Sequence, residues 1–279
     1  MRLVEITAGL RRHLATLRPD YSRALVPTMG ALHAGHVALV EQARADADVV
    51  IVSIFVNPVQ FNNPADLARY PRTLDEDCRM LEAAGCDIVF APSADEMYPE
   101  PPALRLNFGN LETVMEGTMR PGHFNGVGIV VAKLFNLVQP DRAYFGQKDL
   151  QQVAVVRRLI RDLGFPVELI RCPTVREADG LALSSRNRLL TPNERALAPA
   201  LYEALTLSRE LLTTGQDVTR AKAAVAEYVA SRPPFRLEYV EVAHADTLQP
   251  VGNVQAPGQT AICVAAQLGN VRLIDNVVF

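Results

Sequence analysis

Apolar residues follow two patterns that alternate along the first two thirds of the chain. Short continuous apolar runs, of which Val49–Val56 (VVIVSIFV) is the clearest, are typical of strands buried on both faces of a parallel sheet. Between these runs, apolar residues recur every three or four positions, which is the spacing of an amphipathic helix. The runs predict five strands: Arg23–Val26, Val49–Val56, Asp87–Phe90, Arg142–Phe145 and Val167–Ile170. Because strand–helix alternation favours right-handed βαβ units, we predict an α/β fold with a Rossmann-like, doubly wound parallel sheet.

Two stretches inside this region predict local features. Thr73–Glu76 has the spacing of a capping box and indicates a helix that ends at Gly85. Residues 96–125 are rich in proline and glycine, which predicts an excursion from the sheet with one candidate strand at Leu104–Phe108. A helix is expected to follow at Val127–Leu137.

The pattern changes after about residue 174. Thr191–Glu194 (TPNE) combines an N-cap, a proline at the first helical position and a glutamate three residues after the cap, so a helix is predicted from there to Thr213. A second helix is predicted at Asp217–Ser231. Alternating apolar and polar positions then predict three antiparallel strands: Arg236–Val242, Ala261–Ala266 and Val271–Ile274. We therefore predict a Rossmann-like domain at residues 1–176 and a second, smaller α+β domain at residues 177–279, expected to act as a lid.

Composition narrows the class of protein. The 279 residues carry a formal net charge of −3. This charge does not indicate the basic surface with which proteins bind nucleic acid. Four scattered cysteines without a C-x-x-C pair suggest neither a disulfide framework nor a zinc site, and reduced thiols are expected in a cytoplasmic protein. The N-terminus lacks the apolar core of a signal peptide, and the longest apolar run is too short to span a membrane.

The strongest chemical signal is the ten-residue segment Pro27–His36 (PTMGALHAGH). It places a turn with two glycines between a predicted strand and a predicted helix, where the first helical N–H groups lack partners and can bind phosphate. Gly30 can adopt a positive φ, and His33 and His36 share one helix face. Neither the G-x-G-x-x-G fingerprint nor the phosphate loop with its lysine is present. Two imidazoles can stabilise charge on a phosphate and can also move a proton.

Two other interpretations of the histidine pair stay open. The pair could ligate zinc, but the helical His-Glu-x-x-His pattern is absent and no further cluster supplies ligands. The pair could also be structural, since histidines often lie at half-buried helix ends. His13, His123 and His244 have no sequence neighbours that suggest chemistry.

Further polar groups follow other predicted strands, and ligands of open α/β sheets bind at such carboxyl ends. These groups are Asn57–Gln60, Gly146–Asp149 with Gln152, and Val175–Arg176 with Ser184–Asn187. Lys148 offers a charge to a phosphate, and Asp149 can accept the hydroxyls of a ribose. Simpler interpretations are an N-cap for Asp149, a solvated loop amide for Gln60 and an ordinary turn for Ser184–Asn187.

A series of motifs runs in order along nearly the whole chain. They are PTMGALHAGH (27–36), IFVNPVQF (54–61), YPRT (70–73), MRPGHFNGV (119–127), KLFN (133–136), FGQKDLQQ (145–152), and PTVRE with LSSRN (173–177, 183–187). The first contains the H-x-G-H element of a nucleotidyltransferase superfamily, and the whole set resembles the pantothenate synthetase (pantoate–β-alanine ligase) family. One departure is Gln147, where many relatives carry Glu, and it leaves Lys148 and Asp149 in register.

The resemblance implies an ATP-dependent condensation of (R)-pantoate with β-alanine, through a pantoyl-adenylate, to give pantothenate, AMP and pyrophosphate. It implies His36 as proton donor, with His33 and Lys148 as the other catalytic residues, and Gln60 (pantoate and β-alanine) and Gln152 (pantoate) as substrate-binding residues. The implied ATP site comprises Met29, Gly30, Ala31, Leu32, His33, Ala34, Gly35, His36, Gly146, Gln147, Lys148, Asp149, Val175, Leu183, Ser184, Ser185 and Arg186. It further implies a cytoplasmic homodimer that requires Mg²⁺, with no metal-ligating residue assigned and no nucleic-acid or membrane partner.

Two rival functions stay open. Another enzyme of the superfamily could transfer AMP or CMP to a phosphate, but such a site needs extra cations where this sequence has glutamines. A non-catalytic nucleotide sensor could keep the same fold. Retention of both histidines, Lys148 and Arg186 argues against a sensor.

Overall fold

The computed structural model describes residues 1–279, which divide by internal contacts into two compact units. The first unit consists of Met1–Glu112, Glu116–Gly146 and Val155–Cys172. The second consists of Thr113–Met115, Gln147–Ala154 and Pro173–Phe279. Three segments that the sequence interpretation assigned to the first domain fall in the second unit of this division: residues 113–115, 147–154 and 173–176.

The first unit is built on a six-stranded sheet in which every neighbouring pair is parallel. Its strands are β1 (Arg2–Val4), β2 (Arg23–Thr28), β3 (Val49–Ile54), β4 (Ile88–Phe90), β5 (Arg142–Gly146) and β6 (Glu168–Cys172). The order β1-β4-β3-β2-β5-β6 reverses direction between β2 and β5. This confirms the doubly wound α/β fold, and the segment after β2 lies at the switch point where such sheets bind ligands.

The chain forms eleven α-helices, which connect or flank the strands. They are α1 (Thr7–Leu14), α2 (Ala34–Asp46), α3 (Pro64–Arg69), α4 (Leu74–Ala83), α5 (Ala94–Met97), α6 (Met115–Met119), α7 (His123–Val138), α8 (Leu150–Leu163), α9 (Pro192–Leu197), α10 (Ala200–Thr213) and α11 (Val218–Ala230). Short 3₁₀ helices span Pro58–Gln60, Gly109–Glu112, Gln147–Asp149 and Ser185–Leu189.

Helices cover both faces of the parallel sheet. Val26 and Val52 pack in one cluster with Leu39 of α2 and Leu81 of α4. Side chains alternate along a strand, so Leu25 of β2 and Ile51 of β3 point to the opposite face of the sheet. They are equally buried. These strands are continuous apolar runs in the sequence because both of their faces are buried.

The second unit contains an antiparallel sheet with the order β7-β8-β9, which confirms the predicted small α+β domain. Its strands are β7 (Phe235–His244), β8 (Thr260–Leu268) and β9 (Val271–Val278). The core of this unit joins Leu201 and Leu205 of α10 and Val225 of α11 to Val264 and Leu273 of the sheet.

Two local predictions are wrong, and one strand was not predicted. Leu104–Phe108 is not a strand: the N–H of Leu106 donates to Asn125 Oδ1 (2.8 Å), and the apolar side chains cover Gly128 of α7. The predicted helix 191–213 is broken after Leu197, because Pro199 has no N–H to continue the hydrogen-bond ladder. The sequence also missed β1, which is three residues long and buries only Val4.

The predicted capping boxes have different outcomes. At α9, Thr191 and Glu194 form the reciprocal pair, as predicted. At α4, the Thr73 side chain caps no backbone N–H and instead donates to Asp77 Oδ1 (3.2 Å). The Asp77 carboxylate has a larger role in the loop that follows β2.

Candidate active site

A buried carboxylate holds the loop that follows β2. Gly30 and Ala31 both adopt positive φ values, 80° and 51°, so the next N–H groups turn inward. The carboxylate of Asp77 accepts from the N–H of Ala31 (3.0 Å) and of Leu32 (2.8 Å), and it is 1% exposed. These N–H groups are therefore used by the protein itself, and the loop is held in one conformation. The sequence interpretation missed Asp77, since nothing near residue 77 points to this contact.

The two histidines after this loop cap the helix that they precede. His33 is the N-cap of α2, and its Nδ1 accepts from the N–H of Gly35 (3.1 Å). The N–H of His33 in turn donates to Nδ1 of His36 (3.3 Å). The ring centroids lie 4.1 Å apart, which confirms that the pair shares one face. Because each Nδ1 accepts, each neutral ring carries its proton on Nε2.

This geometry changes how the segment can bind phosphate. The N–H of Gly35 is capped, and those of His36 and Val37 donate to the carbonyl of His33. The expectation of open helical N–H groups is therefore wrong for these three residues. Any hydrogen bond from the two imidazoles to a phosphate oxygen would have to come from Nε2, because each Nδ1 already accepts a backbone N–H. The structural interpretation of the pair is correct in part, since both rings cap the helix.

Gln60 lies in a buried hydrogen-bond network in the first unit. It is 7% exposed, so the interpretation as a solvated loop amide is wrong. Its Oε1 accepts from Asn57 Nδ2 (3.1 Å), and its Nε2 lies 3.1 Å from Met29 Sδ. The Asn57 Oδ1 accepts from the hydroxyl of Tyr98 (3.0 Å), and burial raises the pKa of that hydroxyl. The amide of Gln60 is thus held in one orientation.

Helix α7 contributes a further contact that the sequence interpretation missed. His123 is buried, and its Nδ1 lies 2.9 Å from the carbonyl oxygen of Gln60. A Cβ on Gly126 would lie 2.5 Å from the carbonyl oxygen of Val59, so only glycine permits this approach. The MRPGHFNGV motif therefore supports the backbone of the Gln60 segment.

In the second unit, residues 147–149 form a 3₁₀ turn that is bound to strand β9. The side chain of Asn276 donates to the carbonyls of Gln147 and Lys148, both at 2.9 Å. Lys148 Nζ lies 3.8 Å from Asp149 Oδ1, and its side chain is 16% exposed. The lysine head group is thus presented from a turn whose backbone is fixed by a distant strand.

Residues 173–187 of the second unit form a folded loop. The N–H of Leu183 donates to the carbonyl of Val175 (3.0 Å), and the Ser184 hydroxyl accepts from the N–H of Arg186 (3.3 Å). Asn187 donates to the carbonyl of Ala182, while its buried Oδ1 has no hydrogen-bond partner. The interpretation of Ser184–Asn187 as an ordinary turn is therefore incomplete, because Ser184 caps the 3₁₀ helix that carries Arg186.

A pocket in the second unit brings several of these residues together. Its lining includes Lys148, Ser184, Arg186, Asn187, Tyr202, Arg272 and Asp275. Three of these side chains are cationic. Arg272 is paired with Glu238 (2.7 Å), while Lys148 and Arg186 are the kinds of side chain that suit a polyphosphate. The one carboxylate, Asp275, is paired with Arg176 (2.6 Å), and burial raises its pKa while Arg176 lowers it. Gln152, predicted to bind substrate, lies half-buried on α8 and does not line this pocket.

The comparison with known proteins decides the family. A family model described as pantoate-beta-alanine ligase matches residues 2–278. The chain belongs to this family. The pantothenate synthetase of Moorella thermoacetica is 49% identical to the chain and covers 100% of it, with 98% of that protein matched. The pantothenate synthetase of Thermus thermophilus is 51% identical, with 99% of each protein covered.

Solved structures of the family have the same fold. The crystal structure of the Thermus thermophilus pantothenate synthetase has a TM-score of 0.93 and 50% identity, with 100% of this chain and 99% of that chain covered. The pantoate-beta-alanine ligase from Francisella tularensis has a TM-score of 0.83 and 35% identity, with 100% of this chain and 97% of that chain covered. That structure is described as complexed with beta-gamma ATP and beta-alanine.

Two further features bear on cofactors and partners in this family. The structure has no group of three or more His, Cys, Asp or Glu side chains that could hold a metal ion, and both histidine Nδ1 atoms of the H-x-G-H element accept backbone hydrogen bonds. The zinc interpretation of the pair therefore has no structural support. None of the helices is long and apolar enough to cross a bilayer.

Proposed function

We propose that this protein is a ligase that joins pantoate to β-alanine with ATP, giving pantothenate, AMP and pyrophosphate. The observation that carries the proposal is the match of the ligase family model to residues 2–278. The H-x-G-H element at the switch point and the cationic pocket of the second unit agree with it. The complex of the Francisella relative with ATP and β-alanine supports the same substrates.

The chemistry proceeds in two displacements. In the first, a carboxylate oxygen of (R)-pantoate attacks the α-phosphorus of ATP, the bond to the bridging oxygen breaks, and pyrophosphate leaves. In the second, the amine of β-alanine attacks the acyl carbon of the pantoyl-adenylate, AMP leaves, and the amine loses a proton. No covalent bond to the enzyme forms, so orientation and charge stabilisation carry the rate.

We propose that the residues after β2 act on the ATP phosphates. The Nε2–H groups of His33 and His36 donate hydrogen bonds to phosphate oxygens, and the hydrogen bond from His36 stabilises the charge that develops on the leaving pyrophosphate. The fixed loop from Met29 to Leu32 forms the wall beside them. The capping bonds at Nδ1 support this assignment, because they keep each ring in the tautomer that donates from Nε2.

Residues of the second unit are proposed to bind ATP as well. Lys148 and Arg186 would pair with phosphate oxygens, and Ser184 and Ser185 would donate hydroxyl groups to them. Asp149 would accept from the ribose, Val175 would contact the adenine through its backbone, and Leu183 would close on the triphosphate together with the residues up to Arg186. Gly146 and Gln147 complete the implied set. The shared pocket of Lys148, Ser184 and Arg186 supports the phosphate assignment.

Gln60 is proposed to bind both pantoate and β-alanine, and Gln152 to bind pantoate. A buried amide with one fixed orientation recognises a hydroxyl or carboxylate selectively, because a mismatched ligand leaves a polar group unpaired. The bond from Asn57 to Gln60 Oε1 supports this role, since it fixes the amide with Nε2 as its donor, and Nε2 carries a second N–H besides the one that meets Met29 Sδ.

Mg²⁺ is proposed to enter with ATP. Asp149 is the only carboxylate among the residues proposed to bind the nucleotide, so the protein does not build a cage for the ion. Phosphate oxygens are the hard ligands that Mg²⁺ prefers, and the ion neutralises their charge when bound.

A cytoplasmic homodimer is proposed from the family resemblance, and four cysteines without disulfides agree with a reducing compartment. The lid role of residues 177–279 stays a prediction.

The decisive experiment is exchange of labelled pyrophosphate into ATP in the absence of β-alanine. We expect exchange that depends on pantoate, because formation of the adenylate is reversible before the amine arrives. Exchange without pantoate, or no exchange at all, would contradict the proposal. A transferase that acts on a phosphate acceptor would show pyrophosphate exchange only when that acceptor is present. A sensor would bind ATP and show no pyrophosphate exchange.

A further inference from the structure

The side chain of Asn276 holds two successive carbonyl groups of the Lys148 turn. Its Nδ2 donates to the carbonyls of Gln147 and Lys148, both at 2.9 Å, and its Oδ1 lies 3.4 Å from Gln147 Nε2. Asn276 is 3% exposed and lies on β9, about 130 residues along the chain from the turn it binds. An aspartate or an aliphatic side chain here could not donate to either carbonyl.

The backbone of Asn276 is itself held by a buried ion pair. Its N–H donates to Asp275 Oδ1 (2.7 Å), and its carbonyl accepts from Arg176 (3.2 Å). Arg176 pairs with both carboxylate oxygens of Asp275, at 2.6 and 2.9 Å, and stacks 3.7 Å from the ring centroid of Tyr202. Every polar group of Asn276 thus has a partner, so the residue has one available position.

The Asn276 contacts fix the backbone from which the Lys148 side chain extends, whereas the charge pair of its head group with Asp149 is weak. Its head group lies at 3.8 Å from Asp149, whose side chain is half exposed, and such a pair constrains a lysine weakly. Lys148 and Asp275 line the same pocket, so the turn that Asn276 holds is the one that carries the ammonium group into it. A shift of about 1 Å in such a group can cost about a hundredfold in rate.

We propose that Asn276 is a positioning residue that sets the location of the Lys148 ammonium for the ATP phosphates, with Arg176 and Asp275 holding Asn276 in place. The inference rests on the proposed function, since it assigns Lys148 to ATP. It adds a residue that touches no substrate and that none of the sequence motifs contains.

A double-mutant cycle tests the inference. Asn276→Ala, Lys148→Ala and the double variant are compared with the wild type by pantoate-dependent pyrophosphate exchange and by calorimetric titration with Mg·ATP. We expect Asn276→Ala to slow exchange by about 10- to 100-fold in the wild-type background. In the Lys148→Ala background we expect a further loss below about threefold, because the group that Asn276 positions is already absent. The KM for β-alanine should stay unchanged.

The control is Thr260→Val in the same sheet, which removes the hydrogen bond that the fully buried Thr260 hydroxyl accepts from the N–H of Gln255 (2.8 Å). This variant should keep the wild-type exchange rate. Asn276→Leu, which retains the side-chain volume, repeats the cycle if Asn276→Ala does not fold. Equal losses in both backgrounds, or a folded Asn276 variant with wild-type exchange and ATP affinity, would overturn the inference. Absence of exchange in the wild type would refute the proposed function instead, and the four ATP affinities would still decide the role of Asn276.

Discussion

Replacement of His33 separates the two roles that the structure gives to its ring. In His33→Ala the N–H of Gly35 loses its acceptor at 3.1 Å, and the proposed Nε2 donor to phosphate is lost as well. Loss of a helix cap costs about 1 kcal/mol of stability, which lowers the Tm of a protein near this size by about 2–4 °C. Loss of a donor to developing charge lowers kcat by about 10²–10³, or about 2.7–4 kcal/mol.

His33→Asn is the matched control for the cap. Asparagine is among the best N-cap residues, and its Oδ1 can accept from Gly35 as Nδ1 does. The shorter side chain has no donor at the position of Nε2. We therefore expect a wild-type Tm for His33→Asn, with kcat reduced as far as in His33→Ala and little change in the KM for pantoate.

Thermal unfolding and the pantothenate-forming rate at saturating substrates measure the two effects separately. A folded His33→Asn variant with near wild-type kcat would show that the ring serves only as a cap. A loss of stability in His33→Asn equal to that in His33→Ala would refute the capping argument.

Three further predictions concern other parts of the molecule. Asp77→Asn should lower the free energy of unfolding by about 1–3 kcal/mol in urea titrations, because the charged acceptor of two loop N–H groups is lost, whereas Asp75→Asn on the exposed side of the same helix should have little effect. Arg186→Ala should weaken Mg·ATP binding about tenfold or more by calorimetry and raise adenylate hydrolysis per pantothenate formed, while removal of the exposed Arg188 should not. Burial raises the pKa of Cys86 from 9.0 to about 12, so the folded state retains the proton that the unfolded state loses. The free energy of unfolding should therefore fall as pH rises from 9 towards 12, and less steeply in Cys86→Ala.

The sequence alone determined the features that depend on neighbouring residues. Continuous apolar runs predicted the parallel sheet, and alternating apolar and polar positions predicted the antiparallel sheet. A strand buried on both faces is apolar throughout, whereas a strand buried on one face is apolar at every second position. Thr191 and Glu194 cap their helix as predicted, and His33 and His36 meet as expected, since residues three apart on a helix are always neighbours. The family resemblance likewise follows from motifs that are each contiguous.

Only the tertiary structure decided which distant side chains complete the candidate site. Asp77 binds N–H groups 45 and 46 residues away, and Asn276 binds carbonyls more than 120 residues away. The same contacts changed the local chemistry: Asp77 takes the loop N–H groups, and Thr73 donates to Asp77 instead of capping its own helix. Local periodicity carries no information about such pairs, because the chain between them sets neither their distance nor their orientation. They form only when strands and helices pack, and packing is a property of the whole fold.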